Sequence, residues 1–276
     1  MNGSMSRSGT RRMLGMSAVL MGTALAAPAA AEEREFCPSR PGLGTPACTM
    51  APGRVMIETG LVDWSREGDE EERADTLSID ETLVRVGVTE NAEVQLGWSP
   101  FAHRHSLNRA TGEVENADRT GDAMIGAKLN LSHPDGSGFS AAVQGNVLLP
   151  VGRAPIGAGD WGMNALAALG WELPGGIGLG LTPEIDASVN ASGHGRHVTW
   201  GGTAGIDFEL APALSASMEV QALRDDDPDG HATQVYGGVA LAWQAGKNCQ
   251  LDLGMDTGMS RASEDIALHM GISRRF

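Results

Sequence analysis

Several polar side chains of this 276-residue chain could do chemistry, and the histidines are the first of them. Five fall in polar stretches: His103, His105, His194, His197 and His231. A histidine that meets a serine and an acid can act as a general base in ester hydrolysis, and His194 and His197 with nearby acids could bind a divalent metal. Ser106 follows His105, but neighbours in sequence do not define a triad, and no Gly-x-Ser-x-Gly elbow is present. We therefore expect solvated loop histidines, no catalytic residue and no metal site.

An acidic run, Asp225-Asp226-Asp227-Pro228-Asp229-Gly230, is similar to the start of a calcium-binding loop. A calcium loop of this kind also needs a glutamate at its twelfth position and a helix on either side, and the sequence provides neither. The run therefore predicts a solvated acidic loop, and we expect no cofactor.

Charged residues recur at alternate positions within apolar stretches, and this spacing places them on one face of extended strands. The residues on that face are Glu58, Arg85, Glu93, Asp122, Lys128, Glu172, Glu184, Asp186, Asp207, Glu209, Glu219, Asp252, Asp256, His269 and Arg275. If the opposite face meets lipid, the charged face must line a lumen, because a midplane Lys or Arg in lipid costs about 2–4 kcal/mol. Two interpretations stay open. The acids keep the lumen wet and pair with the few bases, or they form an acidic channel that favours cations and neutral solutes.

The elements that would position these charges are short alternating runs of apolar and polar residues. Twelve such runs lie near residues 54–65, 76–89, 92–102, 121–132, 138–149, 161–173, 177–190, 198–210, 213–224, 233–244, 249–259 and 265–276. A length of about ten residues suits a tilted strand that crosses a bilayer. The pattern predicts an all-β, twelve-stranded antiparallel transmembrane barrel of the outer-membrane type. Near Asp80-Glu81 the phase slips, which predicts a bulge.

The breaks between the runs alternate in length. Short turns near residues 90–91, 133–137, 174–176, 211–212 and 246–248 alternate with longer polar loops near 66–75, 103–120, 151–160, 191–197, 225–232 and 260–264. Short periplasmic turns and longer extracellular loops are typical of outer-membrane barrels. The aromatic residues fit two interfacial girdles, with Trp64, Trp98, Trp161 and Trp200 at the outer ends of strands and Phe139, Trp171, Phe208, Trp243 and Phe276 at the periplasmic ends.

The last run, Ile266 to Phe276, alternates large apolar residues with small or polar ones and ends in an aromatic residue. An open sheet edge cannot be left in lipid, so this strand must pair with the first strand, which begins near Arg54. Its ending is also similar to the signal that the outer-membrane assembly machinery recognises. We therefore expect that machinery and the outer-membrane lipids as partners.

The first 31 residues are typical of a secretory signal peptide. Arg7, Arg11 and Arg12 precede a short apolar run, and an A-x-A site ends at Ala31. A formal net charge of −15 and the lack of a basic patch argue against nucleic acid as a partner. The export signal and the strand pattern together predict the outer membrane of a Gram-negative bacterium.

Between the signal and the barrel, residues 32–52 are rich in proline. We expect a periplasmic N-terminal segment that lies across the mouth of a barrel formed by residues 53–276. Cys37 and Cys48 bracket a stiff loop within it, and in an exported protein this spacing favours a disulfide. A metal pair is the weaker alternative, because no nearby His or Cys completes a site. Whether the segment blocks the pore stays open.

Several motifs resemble those of the outer-membrane family grouped under the meta-pathway of phenol degradation. The resemblance rests on Arg40 to Pro46 between the cysteines, Pro52 to Val55, Gly87 to Leu96, Gly121 with Asp122, Ile125 to Lys128, Asn146 to Gly152 and the closing Phe276. It spans most of the mature chain, and its motifs are structural. The resemblance implies a channel-like barrel linked to the uptake of aromatic or other small organic compounds.

We therefore expect passive passage of small organic solutes, without enzymatic activity. Two alternatives stay open from the residues. The first is an outer-membrane lipid-acting hydrolase, which would need a histidine and a serine to meet at the outer rim. The second is a structural or receptor barrel whose lumen is plugged.

Overall fold

The computed structural model of the chain describes residues 34–276, so the expected signal peptide at 1–31 lies outside the described part. Regular structure in residues 34–276 consists of β-strands. They are β1 Val55–Gly68, β2 Glu72–Ile79, β3 Glu81–Gly87, β4 Ala92–Trp98, β5 Phe101–Asn108, β6 Val114–Arg119, β7 Ala123–Ser132, β8 Phe139–Leu149, β9 Gly162–Leu173, β10 Ile177–Val189, β11 Arg196–Ala211, β12 Leu214–Asp225, β13 Ala232–Gln244, β14 Cys249–Gly258 and β15 Ile266–Arg275. Across these residues, we find no helix with the length and apolar character needed to cross a membrane.

Twelve of the strands close into one antiparallel ring. From β15 the order runs back along the chain to β7, continues through β4, β3 and β1, and returns to β15. The closing pair extends from Met56 opposite Arg275 to Arg66 opposite Ile266, with a bulge between Gly60 and Val62. The predicted twelve-stranded antiparallel barrel, closed by its last strand against its first, is confirmed.

Three ring strands continue beyond the ring as separate segments. β2, β5 and β6 prolong β3, β4 and β7, and they pair in the order β1–β2–β5–β6. The break between β2 and β3 falls at Asp80, whose φ of 59° is a left-handed conformation that Asp tolerates better than most residues. The irregularity expected near Asp80-Glu81 is therefore a strand break and not a bulge.

This extension corrects two of the expected loops. Residues 66–75 and 103–120 are mostly strand, because β1 pairs with β2 up to Gly68 opposite Arg73, and β5 pairs with β6 up to Leu107 opposite Val114. The loops shrink to residues 69–71 and 109–113. These hairpins lie beyond the apolar belt, so their strands lack an apolar face and their sequence reads as polar loop.

The ring has two different ends. The start of β1 and the end of β15 lie at what we call the turn end, where the connections are residues 88–91, 133–138, 174–176, 212–213 and 245–248. At the opposite end, which we call the loop end, the connections are residues 69–71, 109–113, 150–161, 190–195, 226–231 and 259–265. The longest connection, 150–161, therefore lies at the loop end.

The two faces of the ring strands differ in polarity. Large apolar side chains such as Leu96 and Leu253 stand on the outer face and are 52% and 57% exposed. The residues between them, such as Gln95 and Asp252, point inward and are buried. An exposed apolar belt around a whole ring is not expected in water, where large apolar patches are rare. The inward and outward faces therefore follow the period of two in the sequence.

Aromatic side chains lie near both ends of the outer face. Exposed rings include Trp98, Trp161 and Trp200 towards the loop end, and Phe139, Trp171, Trp243 and Phe276 towards the turn end. Phe139 packs against Trp171 with ring centroids 5.3 Å apart. Rings at both rims of an apolar belt suit the two interfaces of a membrane.

Candidate functional site in the barrel interior

Residues 37–50, which we call the plug, run along the inner face of the ring and not across its mouth as expected. Wall residues on β1, β3, β4, β7, β10, β12 and β14 hydrogen bond to the plug. Ala47 packs with Ala142 and Ala168 in a small buried apolar cluster against β8 and β9. The plug therefore occupies part of the lumen, next to the wall residues that bind it.

The plug contains a closed loop. Cys37 and Cys48 form the expected disulfide, with their Cα atoms 6.5 Å apart. We call residues 37–48 the disulfide loop. Arg85 on β3 holds the base of this loop, because its Nη1 donates to the Cys37 carbonyl at 2.9 Å and its Nη2 to the Cys48 carbonyl at 3.4 Å. One wall arginine therefore binds both ends of the loop.

Arg85 is itself enclosed by two carboxylates. Its Nε lies 2.8 Å from Glu93 Oε1, and its Nη1 lies 3.2 Å from Glu58 Oε1. None of the three side chains is accessible to solvent. Lys128 on β7, equally buried, lies 3.9 Å from Glu93 and donates to the Pro46 carbonyl at 3.0 Å. Buried charges need such partners, because an unpaired charge away from water is costly.

The same wall carboxylates bind the plug through its backbone. Glu58 Oε2 accepts from the amides of Ser39 and Arg40 at 2.7 and 3.0 Å. Across the barrel, Glu219 on β12 accepts from the amides of residues 43 and 44. Glu93 Oε2 likewise accepts the amide of Met50 at 2.7 Å. Hydrogen bonds from amides to ionised carboxylates are stronger than neutral ones, so these contacts fix the path of the plug.

Arg40 of the plug forms ion pairs with two carboxylates of the barrel wall. Its Nε lies 3.2 Å from Asp252 on β14, and its Nη2 lies 3.4 Å from Asp63 on β1. Next to this pair, His269 Nδ1 lies 3.5 Å from Asp256. Of the expected inward residues, Asp252 therefore binds the plug arginine, while Asp256 and His269 pair with each other.

Between the plug and the wall of β8–β12 there is a cavity of about 450 Å³. Its wall side combines glycines, apolar residues such as Leu169 and Phe208, and polar residues, including Thr182, Thr203, Asp207 and Glu219. Glu172 and Glu209 also line it, and both are exposed at the turn end. Four of the expected inward acids therefore share this one space.

Above the plug, towards the loop end, two acids of β10 lie together. Asn164 on β9 donates through Nδ2 to Asp186 and, at 3.3 Å, to Glu184. Gln221 on β12 approaches Glu184 from the other side at 3.5 Å and donates to Thr203 at 3.1 Å. Within residues 34–276, both acids therefore pair with side-chain amides and not with a cation.

Asp122 was also expected to face the lumen, but its carboxylate contacts a connection at the loop end. It lies between β6 and β7, and its two oxygens accept from the amides of Gly152 and Ala158 at 2.8 and 2.7 Å. Both amides belong to the long connection 150–161. Asp122 therefore anchors this loop over the loop end.

The acidic run near residue 227 is less solvated than expected. Asp227 is buried, and its oxygens accept from the amides of Ala191 and Asp229 at 2.7 Å each. These backbone N–H groups hold the pKa of Asp227 below its usual range, and the nearby His197 adds to the effect. His197 lies 2.9 Å from Asp225 and 3.3 Å from Asp227. The run thus ties connection 226–231 to connection 190–195.

The remaining histidines do not assemble a hydrolytic site. His103 pairs with Asp118 at 2.7 Å and His105 with Asn116 at 2.9 Å, across the β5–β6 hairpin. Ser106 follows His105 within β5, so the two side chains point to opposite faces of the strand. Within residues 34–276, we find no group of three or more His, Cys, Asp or Glu side chains arranged to hold a metal ion.

Sequence reasoning missed the residues that complete the plug contacts, above all Arg40, Asp63, Asn130 and Gln250. Asn130 donates to the Ala47 carbonyl at 2.8 Å, and Gln250 donates to the Arg40 carbonyl at 3.1 Å. The sequence did contain a signal for these contacts. A stiff segment rich in proline and glycine precedes the barrel, and the inward acids of the strands outnumber the inward bases that could pair with them.

A family model described as "Putative MetA-pathway of phenol degradation" matches residues 39–276. Among solved structures, an outer membrane channel from Pseudomonas putida F1 aligns with a TM-score of 0.65 at 12% identity, over 83% of this chain and 98% of that one. The beta domain of the Bordetella autotransporter BrkA aligns with a TM-score of 0.51 at 11% identity, over 82% and 99%. At such low identities the likeness concerns the barrel fold. No curated protein matches the chain.

Proposed function

Because the chain belongs to the MetA-pathway of phenol degradation family, we propose that it is an outer-membrane barrel through which small organic solutes, aromatic compounds among them, pass without being changed. The family match covers both the barrel and most of the plug. The solved channel from Pseudomonas putida F1 has the same fold and thereby supports this proposal.

The observation that carries the proposal is the contrast between the two faces of the closed ring. Its outer face exposes apolar side chains such as Leu253, whereas its inner face buries polar ones such as Lys128 and Thr203. A lipid-facing exterior and a polar interior are what a transmembrane barrel that conducts solutes requires. Outer-membrane lipids are then the partners of the apolar belt.

The proposed orientation places the turn end in the periplasm. Residues 1–31 act as the export signal, and the chain then enters the barrel from the periplasmic side. Short turns on that side and the aromatic Phe276 at the end of β15 suit recognition by the assembly machinery of the outer membrane of a Gram-negative bacterium.

Single-channel recording tests the proposal. The full chain, refolded in detergent and added to a planar lipid bilayer in KCl, should give steady current steps. Its fold is verified in parallel by heat-modifiability, the difference in gel migration between unheated and heated protein. A heat-denatured sample is the control and should give no steps. Folded protein without steps would contradict the channel.

A specific observation favours a second candidate, a plugged structural or receptor barrel. The plug is bound by buried charges on several strands, among them Arg85, Glu58 and Glu219. If it seals the lumen, the wild-type chain will be silent in the bilayer, whereas Arg85→Ala will conduct. Steps of the same size and frequency from both chains would argue against a seal.

We also propose that the chain performs no covalent chemistry and uses no cofactor. The position of Ser106 and His105 on opposite faces of β5 supports this view. The hydrolase alternative is tested with outer-membrane phospholipids. Product formation that Ser106→Ala abolishes would establish it, and product formation that the variant retains would point to contamination.

A further inference from the structure

Glycines form part of the wall of the cavity of about 450 Å³ between the disulfide loop and β8–β12. Gly178, Gly180 and Gly205 line it from the wall. A Cβ added at Gly180 would meet no atom within 4 Å, so this position faces open space. A volume of this order lies within the range of about 300–1,000 Å³ that small-molecule pockets occupy. The space is therefore large enough for a single aromatic ring with a polar substituent.

The charge of the cavity is one-sided. Its lining contains the carboxylates of Glu172, Asp207, Glu209 and Glu219. The cation of the lining is Arg40, whose guanidinium already pairs with Asp252 and Asp63. An anion that entered this space would meet carboxylates and no available cation.

Asp207 differs from Glu219 of the same lining. Glu219 accepts two plug amides, whereas the structure of residues 34–276 gives the Asp207 carboxylate no hydrogen bond and no ion pair. Asp207 lies on β11 opposite Gly178 of β10, which has no side chain to cover it, and the Asp207 side chain is exposed. Its carboxylate is therefore available to a ligand.

We infer that this cavity is a binding site for small organic cations on the solute path, with Asp207 as the residue that selects the charge. The inference rests on the proposed function, because it assigns a solute class to the same lumen. A carboxylate attracts a cation, and the neighbouring carboxylates of the lining repel anions. Neutral molecules that donate a hydrogen bond are bound more weakly.

Three probes of similar shape and different charge test the site: benzylammonium, benzyl alcohol and benzoate. Binding to the full chain in detergent is measured by saturation-transfer NMR, a readout independent of conductance. Benzylammonium should bind best and benzoate should not bind. Asp207→Asn should weaken benzylammonium binding about tenfold, since it removes a charge-assisted hydrogen bond. Asp229→Asn, an equal change in the exposed loop 226–231, should leave binding unchanged.

A second pair of variants tests the location. Gly180→Leu places a side chain in the cavity and should abolish benzylammonium binding. Gly145→Leu is its matched control, since Gly145 lies on the outer face of β8 and a Cβ there meets only the Asn164 carbonyl oxygen, at 3.9 Å. Both variants must retain the heat-modifiability of the wild type, which shows that each barrel is folded.

The outcomes separate the inference from the proposed function. Reversal potentials in a KCl gradient should show cation selectivity that Asp207→Asn lowers. Steps without charge selectivity, together with equal binding of the three probes, would overturn the cation site and leave the channel. Asp207-dependent binding without any conductance would keep the site and overturn the channel. Absence of both binding and conductance would overturn both.

Discussion

Arg85 and Glu93 lie on adjoining strands of the barrel wall and share two hydrogen bonds, Nε to Oε1 at 2.8 Å and Nη2 to Oε2 at 3.1 Å. Neither side chain is accessible to solvent. Each of them also binds the plug, Arg85 at the Cys37 carbonyl and Glu93 at the Met50 amide. The pair therefore couples the wall charges to the position of the plug.

Loss of Arg85 should both destabilise the barrel and free the plug. Arg85→Ala removes the cation paired with buried Glu58 and Glu93 and leaves Glu93 with the more distant Lys128, which costs about 3–5 kcal/mol. The free energy of unfolding in urea should fall by that amount, and conductance should rise. Arg224→Ala, which removes a partly exposed arginine paired with Asp226, should cost about 1 kcal/mol or less. Equal losses for both variants would contradict the proposed role of Arg85.

The disulfide should keep the plug compact. Cys37→Ser combined with Cys48→Ser removes a cross-link that stabilises by about 2–4 kcal/mol in typical proteins. We expect current traces with more frequent large openings, because the loop can then leave the lumen as an extended chain. Cys249→Ser, which changes the cysteine outside this disulfide, is the control. Identical traces for the double variant and the wild type would show that the loop does not need its cross-link.

Phe276→Ser should lower insertion into the outer membrane while export continues. The backbone of Phe276 donates to the Val55 carbonyl at 2.8 Å, so it lies at the seam between the last strand and the first. Its ring also lies 5.2 Å from the Arg274 guanidinium, a contact worth about 0.5–1 kcal/mol at an exposed site. The ratio of membrane-inserted to periplasmic protein measures the effect. Phe101→Ser at the exposed start of β5 should insert normally.

The link between connections 226–231 and 190–195 should depend on pH. Amide hydrogen bonds lower the pKa of Asp227 in the folded chain, so its stabilising effect is present above the unfolded pKa of about 3.9 and is lost as the pH falls through the folded pKa. Hydrogen exchange at the Ala191 amide, corrected for intrinsic rates, should be slow near neutral pH and become fast as the pH falls through the folded pKa of Asp227, below the unfolded value of about 3.9. In Asp227→Asn it should be fast at neutral pH too. Asp226→Asn should behave like the wild type.

Asp122→Asn should loosen connection 150–161 without affecting the barrel. The asparagine retains one acceptor oxygen, whereas Asp122 accepts from both Gly152 and Ala158. Loss of one such bond to a charged acceptor costs about 1.5–3 kcal/mol locally. Trypsin should then cleave faster after Arg153, and heat-modifiability should not change. Asp118→Asn at the rim is the matched variant, and it should leave the cleavage rate at Arg153 unaltered.

The fold could be predicted from the sequence because the membrane imposes one pattern on every crossing strand. In ring strands such as β7 and β14, outward apolar residues alternate with inward residues that are mostly polar or small. Counting such runs gives the number of strands, and the period of two tells which side chains point inward. The β5–β6 hairpin lies beyond this constraint. Its polar residues on both faces are equally compatible with a loop, which is why residues 103–120 were expected to be one.

The candidate site could be predicted in part. Alternation indicates that Glu219 points inward, but it does not say what fills the lumen in front of it. The partners of Glu219 are backbone amides at residues 43 and 44, far away along the chain. A backbone amide has no sequence signature of its own, so such a contact is invisible until the plug is placed. Asp207, which no plug group meets, could not be distinguished from Glu219 by sequence.

At several positions of the disulfide loop the wall binds the backbone and not the side chain. An added Cβ at Gly42 or Gly44 would come within 2.7 or 3.0 Å of a Glu219 oxygen, so the Glu219 carboxylate would have to shift. Leu43 and Thr45 between and beside them are bound through their amides. A single foreign residue at either position, such as a cysteine for labelling, keeps the amide that the wall binds and is thus carried inside the barrel.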